Sequence, residues 1–215
     1  MELRAAYNPN LTTSWFTGVM AILNNVTLLA VLLAGAAVVR EREHGTLDHL
    51  LVLPVTPFDI AMAKVWSNGL VITTATGLSL WFVVHYLLGV PVAGSISLFL
   101  GGVALYLFFA TAIGLLLGTV AQSMPQLGLL FILVVLPMNL LSGGSTPFES
   151  MPHLLQAVMS ISPSTHFVSF AQAVLYRGAG LDIVWPQLLT SAGIGTSALL
   201  AALLRFRSSM AAASG

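Results

Sequence analysis

Five long apolar stretches follow one another along the chain, with short polar intervals between them. They cover approximately residues 15–39, 65–88, 96–121, 127–144 and 183–204. A hydrocarbon core about 30 Å thick needs roughly 20 apolar residues of helix, so these lengths are typical of membrane spans. The fourth stretch is short and contains Pro137 and Asn139 near its end, which leaves a half-helix that turns back as the alternative. The pattern predicts an all-α, polytopic membrane protein of about five transmembrane helices.

Composition strengthens this prediction. The chain is 57% hydrophobic and 7% charged, whereas an ordinary soluble domain has roughly 25% charged residues. Such an apolar exterior is stable in contact with a lipid bilayer, its first predicted partner. The formal net charge of zero leaves no basic surface for phosphates, which excludes a nucleic-acid binder. Cysteine is absent, so neither disulfides nor thiolate metal ligands are available.

Basic residues near the span ends predict the orientation, because their translocation is resisted. One side receives Arg40, Arg42, Lys64, Arg205 and Arg207, and the other receives Arg4 and Arg177. Residues 40–64 are therefore predicted to be cytoplasmic, residues 1–14 an external tail and residues 143–182 an external loop, within a single transmembrane domain over 1–215. The odd number of spans and the absence of a signal peptide lead us to expect a further helix upstream.

Charge is concentrated in the predicted cytoplasmic stretch, which holds seven of the 14 charged residues. After Arg40, residues 41–53 are predicted to form a short amphipathic helix along the membrane face. Its apolar face carries Leu47, Leu50 and Leu51, its polar face carries Glu43, Asp48 and His49, and Pro54 ends it. A charged loop that only fixes topology is the alternative. A metal site is not predicted, because His44 and His49 are five residues apart rather than four.

A second helix is predicted to begin directly after this segment. Thr56 is suited to cap it, Pro57 to its first position, and Asp59 to the reciprocal bond of a capping box. Continued to Leu88, this helix would be about 48 Å long, which exceeds the hydrocarbon thickness. Its first two turns are therefore expected to project into the cytoplasm.

The predicted span interiors contain no Asp, Glu, Lys or Arg, which disfavours a carrier driven by an ion gradient. His85 lies near a span end and is interpreted as interfacial. Asn24, Asn25 and Asn68 are predicted to lie along a pathway or, alternatively, to join helices by hydrogen bonds. No phosphate-binding loop is present around Lys64, the single lysine, so any ATPase is expected to be a separate chain or domain.

The external loop is predicted to contain two short half-buried helices. Residues 146–149 repeat the capping-box pattern, and Ser162-Pro163 begins a helix that Gly178 ends. One face of that helix carries Phe167, Phe170, Ala171, Val174 and Leu175. Gly143-Gly144 is predicted to be a turn or hinge. A serine-hydrolase site is not indicated, because the Gly-x-Ser-x-Gly pattern is absent.

Several motifs together resemble those of type-2 ABC exporter permeases, the bacterial inner-membrane subunits of multidrug or efflux systems. The chain contains EREHGTLDHLLVLPVTP at 41–57, similar to the family pattern E-x-G-T-x-E/D-x-L-L-x-x-P-V/L-T/S, with YNPN at 7–10, GTVAQSMPQLGLL at 118–130, LSGGSTPFESMP at 141–152 and SPSTHFV at 162–168. The resemblance covers nearly the whole chain. Relative to the family pattern, a first span and a large external domain are missing.

The resemblance implies a permease without an ATPase site of its own, which couples ATP hydrolysis by a partner ABC ATPase to export. A second permease subunit is implied, in a homodimer or heterodimer, and ATP is used by the ATPase while this chain binds no cofactor. The implied coupling residues are Glu41, Glu43, Gly45, Thr46, Leu47, Asp48, Leu50, Leu51 and Pro54, and the implied external gate comprises Gly143, Gly144, Glu149 and Phe167. Re-entrant external helices are implied, with interfacial helices that only seal the membrane edge as the alternative. A non-transporting membrane scaffold or assembly subunit remains the alternative function.

Overall fold

The fold is helical throughout the described part of the chain. The computed structural model describes residues 13–44, 56–89, 93–144 and 151–213, and every regular element in these ranges is a helix, which confirms the predicted class. The helices are α1 (Thr13–Glu43), α2 (Pro57–Ser79), a π-helical segment that continues α2 (Leu80–Leu87), α3 (Ile96–Val120), α4 (Met124–Leu140), α5 (His153–Met159), α6 (Pro163–Arg177) and α7 (Leu181–Ala213).

Four helices of the described ranges are long and apolar enough to cross a membrane: α1, α2 with its π-helical extension, α3 and α7. They match four of the five predicted spans. The fifth, α4, has 17 residues and is about 26 Å long, slightly less than the hydrocarbon thickness. It begins beside the end of α3, and the turn that follows it packs against Met20 in the N-terminal half of α1. Hence α4 does not turn back toward the side from which it starts.

The central helix is α3, which packs against α1, α2, α4, α6 and α7. Its contact with α1 is close because glycines lie between the two backbones. A Cβ atom added to Gly114 would lie 2.4 Å from the Val31 carbonyl oxygen, and one added to Gly118 would lie 2.8 Å from the Gly35 carbonyl oxygen. Small residues four apart allow such approach in membranes, where van der Waals contact between helices replaces the hydrophobic effect.

Local capping explains where several helices begin and end. The predicted capping box is present at α2, since the Asp59 amide donates to Thr56 Oγ1 (3.2 Å) and the Thr56 amide donates to Asp59 Oδ2 (2.8 Å). Helix α6 begins at Ser162-Pro163 as predicted, although the Ser162 side chain makes no capping hydrogen bond. It ends at Gly178, which adopts the left-handed conformation (φ 65°). The predicted apolar face of α6 is buried.

One helix boundary differs from the prediction. A separate amphipathic helix was expected from Glu41 onward, but α1 continues without a break through Glu43. The charged residues at this end find partners at the ends of other helices, as described below, so they do not terminate α1. Residues 45–53 of the predicted amphipathic helix, Pro54, which was expected to end it, and residues 146–149 of the predicted capping box lie outside the described residues.

Candidate functional site

Charged residues from three helices meet at one end of the bundle. The last turn of α1 carries Arg40, Glu41, Arg42 and Glu43, and Lys64 lies two turns into α2. Arg205 lies near the same end of α7, because Ala202 and Leu203 line a small cavity together with Lys64. This is the end at which the chain leaves α1 for residues 45–55 and returns to α2.

The first contact at this end joins α1 to α2. Lys64 Nζ donates to Glu41 Oε1 and forms an ion pair. The two side chains are only 14% and 25% exposed, respectively. Partial burial limits screening by water and salt, so this pair is stronger than an ion pair at an open surface. It therefore joins the helix that precedes residues 45–55 to the helix that follows them.

The second contact joins α1 to the end of α3. Arg42 donates from Nη1 to the Ala121 carbonyl oxygen and from Nη2 to the Thr119 carbonyl oxygen (3.3 Å). The last carbonyl groups of a helix have no partner within the helix and form the negative end of its dipole. The guanidinium group of Arg42 provides hydrogen-bond donors for these carbonyl groups and a positive charge at the negative end of the helix dipole.

The third contact joins α1 to the beginning of α4. Glu43 accepts a hydrogen bond from the Met124 amide (3.0 Å), the first residue of that helix. A carboxylate is favoured there because the first amides of a helix are unpaired and form the positive end of its dipole. We call these three contacts, made by Glu41, Arg42 and Glu43, the charged clamp.

A small apolar cluster lies directly inside the charged clamp. It consists of small and medium side chains from α1, α2, α3 and α7: Ala34, Val38, Ala61, Ala112, Leu115, Leu199 and Ala202. Side chains of this size let the four helices approach closely, as is typical of membrane bundles. This end of the bundle is therefore packed as well as hydrogen-bonded.

The predicted coupling residues divide into two groups. Glu41 and Glu43 are brought together in the charged clamp and bind other helices of the same chain. The others, Gly45, Thr46, Leu47, Asp48, Leu50, Leu51 and Pro54, lie outside the described residues, and their coupling role stays a prediction. In the described part of the chain, no group of three His, Asp or Glu side chains is placed to hold a metal ion.

The predicted pathway asparagines are not gathered in one place. Asn25 is exposed and lines a groove of about 240 Å³ between α1 and α2. Asn24 and Asn68 are half-buried and do not contribute to that lining. The rest of the groove is formed by Ile22, Val26, Leu29, Ile72, Ala75, Thr76 and Ser79. The pathway and helix-joining roles of the three amides both stay predictions.

The predicted external gate residues lie at the opposite end of the bundle. Gly143 has φ 91°, which confirms a turn there, and Gln172 Nε2 of α6 donates to its carbonyl oxygen (3.5 Å). Gly144 is buried, and a Cβ atom added to it would lie 3.2 Å from Met20 Sδ. Phe167 is buried in α6, whereas Glu149 lies outside the described residues.

Comparison with known proteins identifies the family. A model of the ABC-2 type transporter family matches residues 5–176. The chain belongs to the ABC-2 type transporter family. It is 61% identical over 207 residues, 96% of its length, to the inner membrane transport permease YhhJ of Escherichia coli K12. It is 32% identical over 202 residues to the probable multidrug ABC transporter permease YbhR of the same organism. The chain spans about half the length of these curated relatives, 55% of each.

Family membership confirms the resemblance inferred from the sequence motifs. Together with the inner-membrane relatives and the long apolar helices, it also confirms a multi-pass inner-membrane protein. The matched region includes the charged clamp, segment 45–55 and most of α6. The candidate site therefore lies within the part of the chain that the family shares.

Tyr106 is a site residue of this ABC-2 family member that the sequence analysis missed. Its hydroxyl group, buried on α3, shares hydrogen bonds with Thr27 Oγ1 of α1 (2.8 Å) and with Ser164 Oγ of α6 (3.1 Å). Its ring stacks on Phe167, with ring centroids 3.9 Å apart. The available signal was a tyrosine inside a predicted span, where a hydroxyl group needs a partner. Tyr106 thus joins α6, which carries the predicted gate residue Phe167, to α1 and α3.

Proposed function

We propose that the chain is the membrane-spanning permease part of an ABC exporter, which couples ATP hydrolysis by a separate ATPase to export across the inner membrane. Membership of the ABC-2 family supports this proposal. So do the names of its relatives, one an inner membrane transport permease and another a probable multidrug ABC transporter permease. ATP is bound by the ATPase, and this chain supplies no nucleotide site.

The observation that carries the proposal is the charged clamp on both sides of segment 45–55. Glu41 and Lys64 pair the helix that enters the segment with the helix that leaves it. The capping box of Thr56 and Asp59 stabilises the first turn of α2. Because this turn does not fray, movement of segment 45–55 is passed on to the rest of α2. An ATPase that displaces the segment therefore moves α1 and α2 together.

A second permease completes the proposed transporter. The described part of the chain contains five long apolar helices. We infer that the pathway is formed between two permease units, either two copies or this chain and a similar one. The exposed amide of Asn25 lies in the groove between α1 and α2, whose lining also contains Thr76 and Ser79, so this surface carries polar groups within the bilayer region. Polar groups at membrane depth mark pathways or helix contacts.

Co-purification tests the proposal. The tagged permease is expressed with each ABC ATPase of its host in turn and purified in detergent with ATP, with a non-hydrolysable analogue and without nucleotide. One ATPase is expected to co-purify in amounts that depend on the nucleotide. An unrelated polytopic protein with the same tag serves as the control. Failure of every ATPase to associate under all three conditions would contradict the proposal.

A further inference from the structure

Helix α4 packs against the core along one face and is hydrogen-bonded to the rest of the protein at its two ends. At its first turns, Met124 donates to Glu43, and Leu127 packs against the backbone of α1 at Gly35. Beyond its last turn, Gly143 is bonded by Gln172 of α6. Between these ends, Val135 is buried in the core and belongs to the face of α4 that packs on it. The opposite face of α4 is exposed and carries Leu129, Ile132, Leu133, Leu136 and Leu140. A helix attached in this way transmits motion along its axis from one end to the other.

The attachment at the charged clamp is specific in charge and direction. Arg42 binds carbonyl oxygens at the C-terminal end of α3, and Glu43 binds the first amide of α4. Exchanging the two charges would place each against a helix end of like polarity. Two consecutive residues of α1 thus hold both sides of the corner formed by Ala121, Gln122 and Ser123.

A different residue makes the attachment to α2. Successive residues of an α-helix point about 100° apart, which lets Glu41, Arg42 and Glu43 reach different neighbours. Glu41 pairs with Lys64 of α2, whereas Arg42 and Glu43 reach the corner between α3 and α4. Motion of the end of α1 can therefore follow two separable routes.

We propose that Arg42 and Glu43 are positioning residues that make α4 move with the end of α1 when an ATPase displaces segment 45–55. The movement passes along α4 to the turn at Gly143 and Gly144, which packs against α1 and α6 at the external end. This inference rests on the proposed function. It adds that movement reaches the turn at Gly143 and Gly144, and with it the predicted gate, through α4 and not through the ion pair between Glu41 and Lys64.

Distance measurements between spin labels test the inference in the full permease, bound to the ATPase found by co-purification and embedded in lipid nanodiscs. The absence of cysteine allows two labelled pairs, each with one label at Leu189→Cys on α7. The α4 pair adds Leu140→Cys, and the α2 pair adds Leu78→Cys. All three positions are exposed, so the labels disturb little packing. Without clamp substitutions, both pairs are expected to change distance when ATP binds.

The double variant Arg42→Ala, Glu43→Ala is expected to lose the ATP-dependent change of the α4 pair and to keep that of the α2 pair. Arg40→Ala is the matched control, because Arg40 also lies on the last turn of α1 but is exposed. It is expected to keep both changes. Loss of both changes in the double variant, with the ATPase still bound, would show a general structural role and overturn the inference. The inference would also be overturned if the double variant kept the full distance change of the α4 pair. It would be overturned as well if the α4 pair showed no change in the permease without clamp substitutions.

A conservative pair of variants covers the case in which the double variant does not fold. Glu43→Gln keeps an acceptor oxygen for the Met124 amide, whereas Glu43→Ala removes it. The α4 change is expected to persist in Glu43→Gln and to be lost in Glu43→Ala, and equal changes in the two variants would overturn the inference. If no ATPase associates at all, the proposed function itself fails and the inference falls with it.

Discussion

At the level of single residues, glycine determines how closely α1 and α3 approach. Gly114 and Gly118 are four residues apart on α3 and face the backbone of α1. By contrast, a Cβ atom added to Gly101, on the same helix, would have no atom within 4 Å. The same substitution at these positions therefore separates the effect of packing from the effect of helix propensity.

Gly114→Ala is expected to lower the free energy of unfolding by about 1–3 kcal/mol, because the added methyl group overlaps the Val31 carbonyl oxygen and forces the helices apart. Gly101→Ala is expected to be neutral or to stabilise by up to about 1 kcal/mol, because alanine is the better helix former. Thermal unfolding of the purified permease in detergent measures both. Equal melting temperatures for the two variants would contradict the assignment of a close contact between α1 and α3.

Tyr106→Phe tests the buried hydroxyl network. The variant keeps the ring that stacks on Phe167 but removes the hydroxyl group shared with Thr27 and Ser164. A destabilisation of about 1–3 kcal/mol is expected, because buried polar groups lose their partner. Tyr86→Phe is the matched control, since Tyr86 is 83% exposed. Thermal unfolding that is unchanged in Tyr106→Phe would show that the network contributes no stability.

At the level of helices, local signals predicted what local chemistry determines. Thr56 and Asp59 are three residues apart, so their capping box follows from sequence alone. The end of α6 at Gly178 depends on one residue's freedom to adopt positive φ, and the buried face of α6 follows from helical periodicity. The apolar lengths of α1, α2, α3 and α7 were sufficient to predict spans.

Features that depend on distant residues could not be predicted in this way. Arg42 and Glu43 bind groups 77 to 81 residues away, and Tyr106 binds Thr27 79 residues away. Charged residues normally end a span, so the sequence analysis ended the first one at Val39; these partners let α1 continue through Glu43. The π-helical segment Leu80–Leu87 gave no signal in the hydrophobic pattern, and nothing in the structure explains it.

The predicted orientation of the helices determines which positions a reagent outside the cell can reach. Gln122 lies at the corner beside the charged clamp, and Ser160 lies between α5 and α6 at the other end; both are exposed. In intact cells, an impermeant thiol reagent is expected to label Ser160→Cys and not Gln122→Cys. After permeabilisation, both variants should react, which controls for local reactivity. Labelling of Gln122→Cys from outside would reverse the orientation.

For the protein as a whole, the distribution of charge assigns the two ends of the bundle. Of the described basic residues, Arg40, Arg42, Lys64 and Arg205 lie at the clamp end and Arg177 lies at the opposite end. Because basic residues are enriched on the cytoplasmic side of membrane proteins, we propose that the clamp end lies in the cytoplasm, where ATP and an ATPase are available. In the proposed mechanism, the packed apolar cluster inside the clamp allows displacement of segment 45–55 to move several helices at once.

The most direct test of the proposed coupling is the rate of ATP hydrolysis by the partner ATPase, measured with and without the permease in nanodiscs. The informative variant is Leu47→Ser, Leu50→Ser, which removes the apolar face predicted for segment 45–55. Leu154→Ser, Leu155→Ser on α5 is the matched control, since it exchanges two exposed leucines at the external end. We expect the unsubstituted permease and the control to stimulate ATP hydrolysis equally. The segment variant is expected to insert normally and not to stimulate hydrolysis. Full stimulation by the segment variant would show that residues 45–55 only fix topology, and would contradict the proposed coupling.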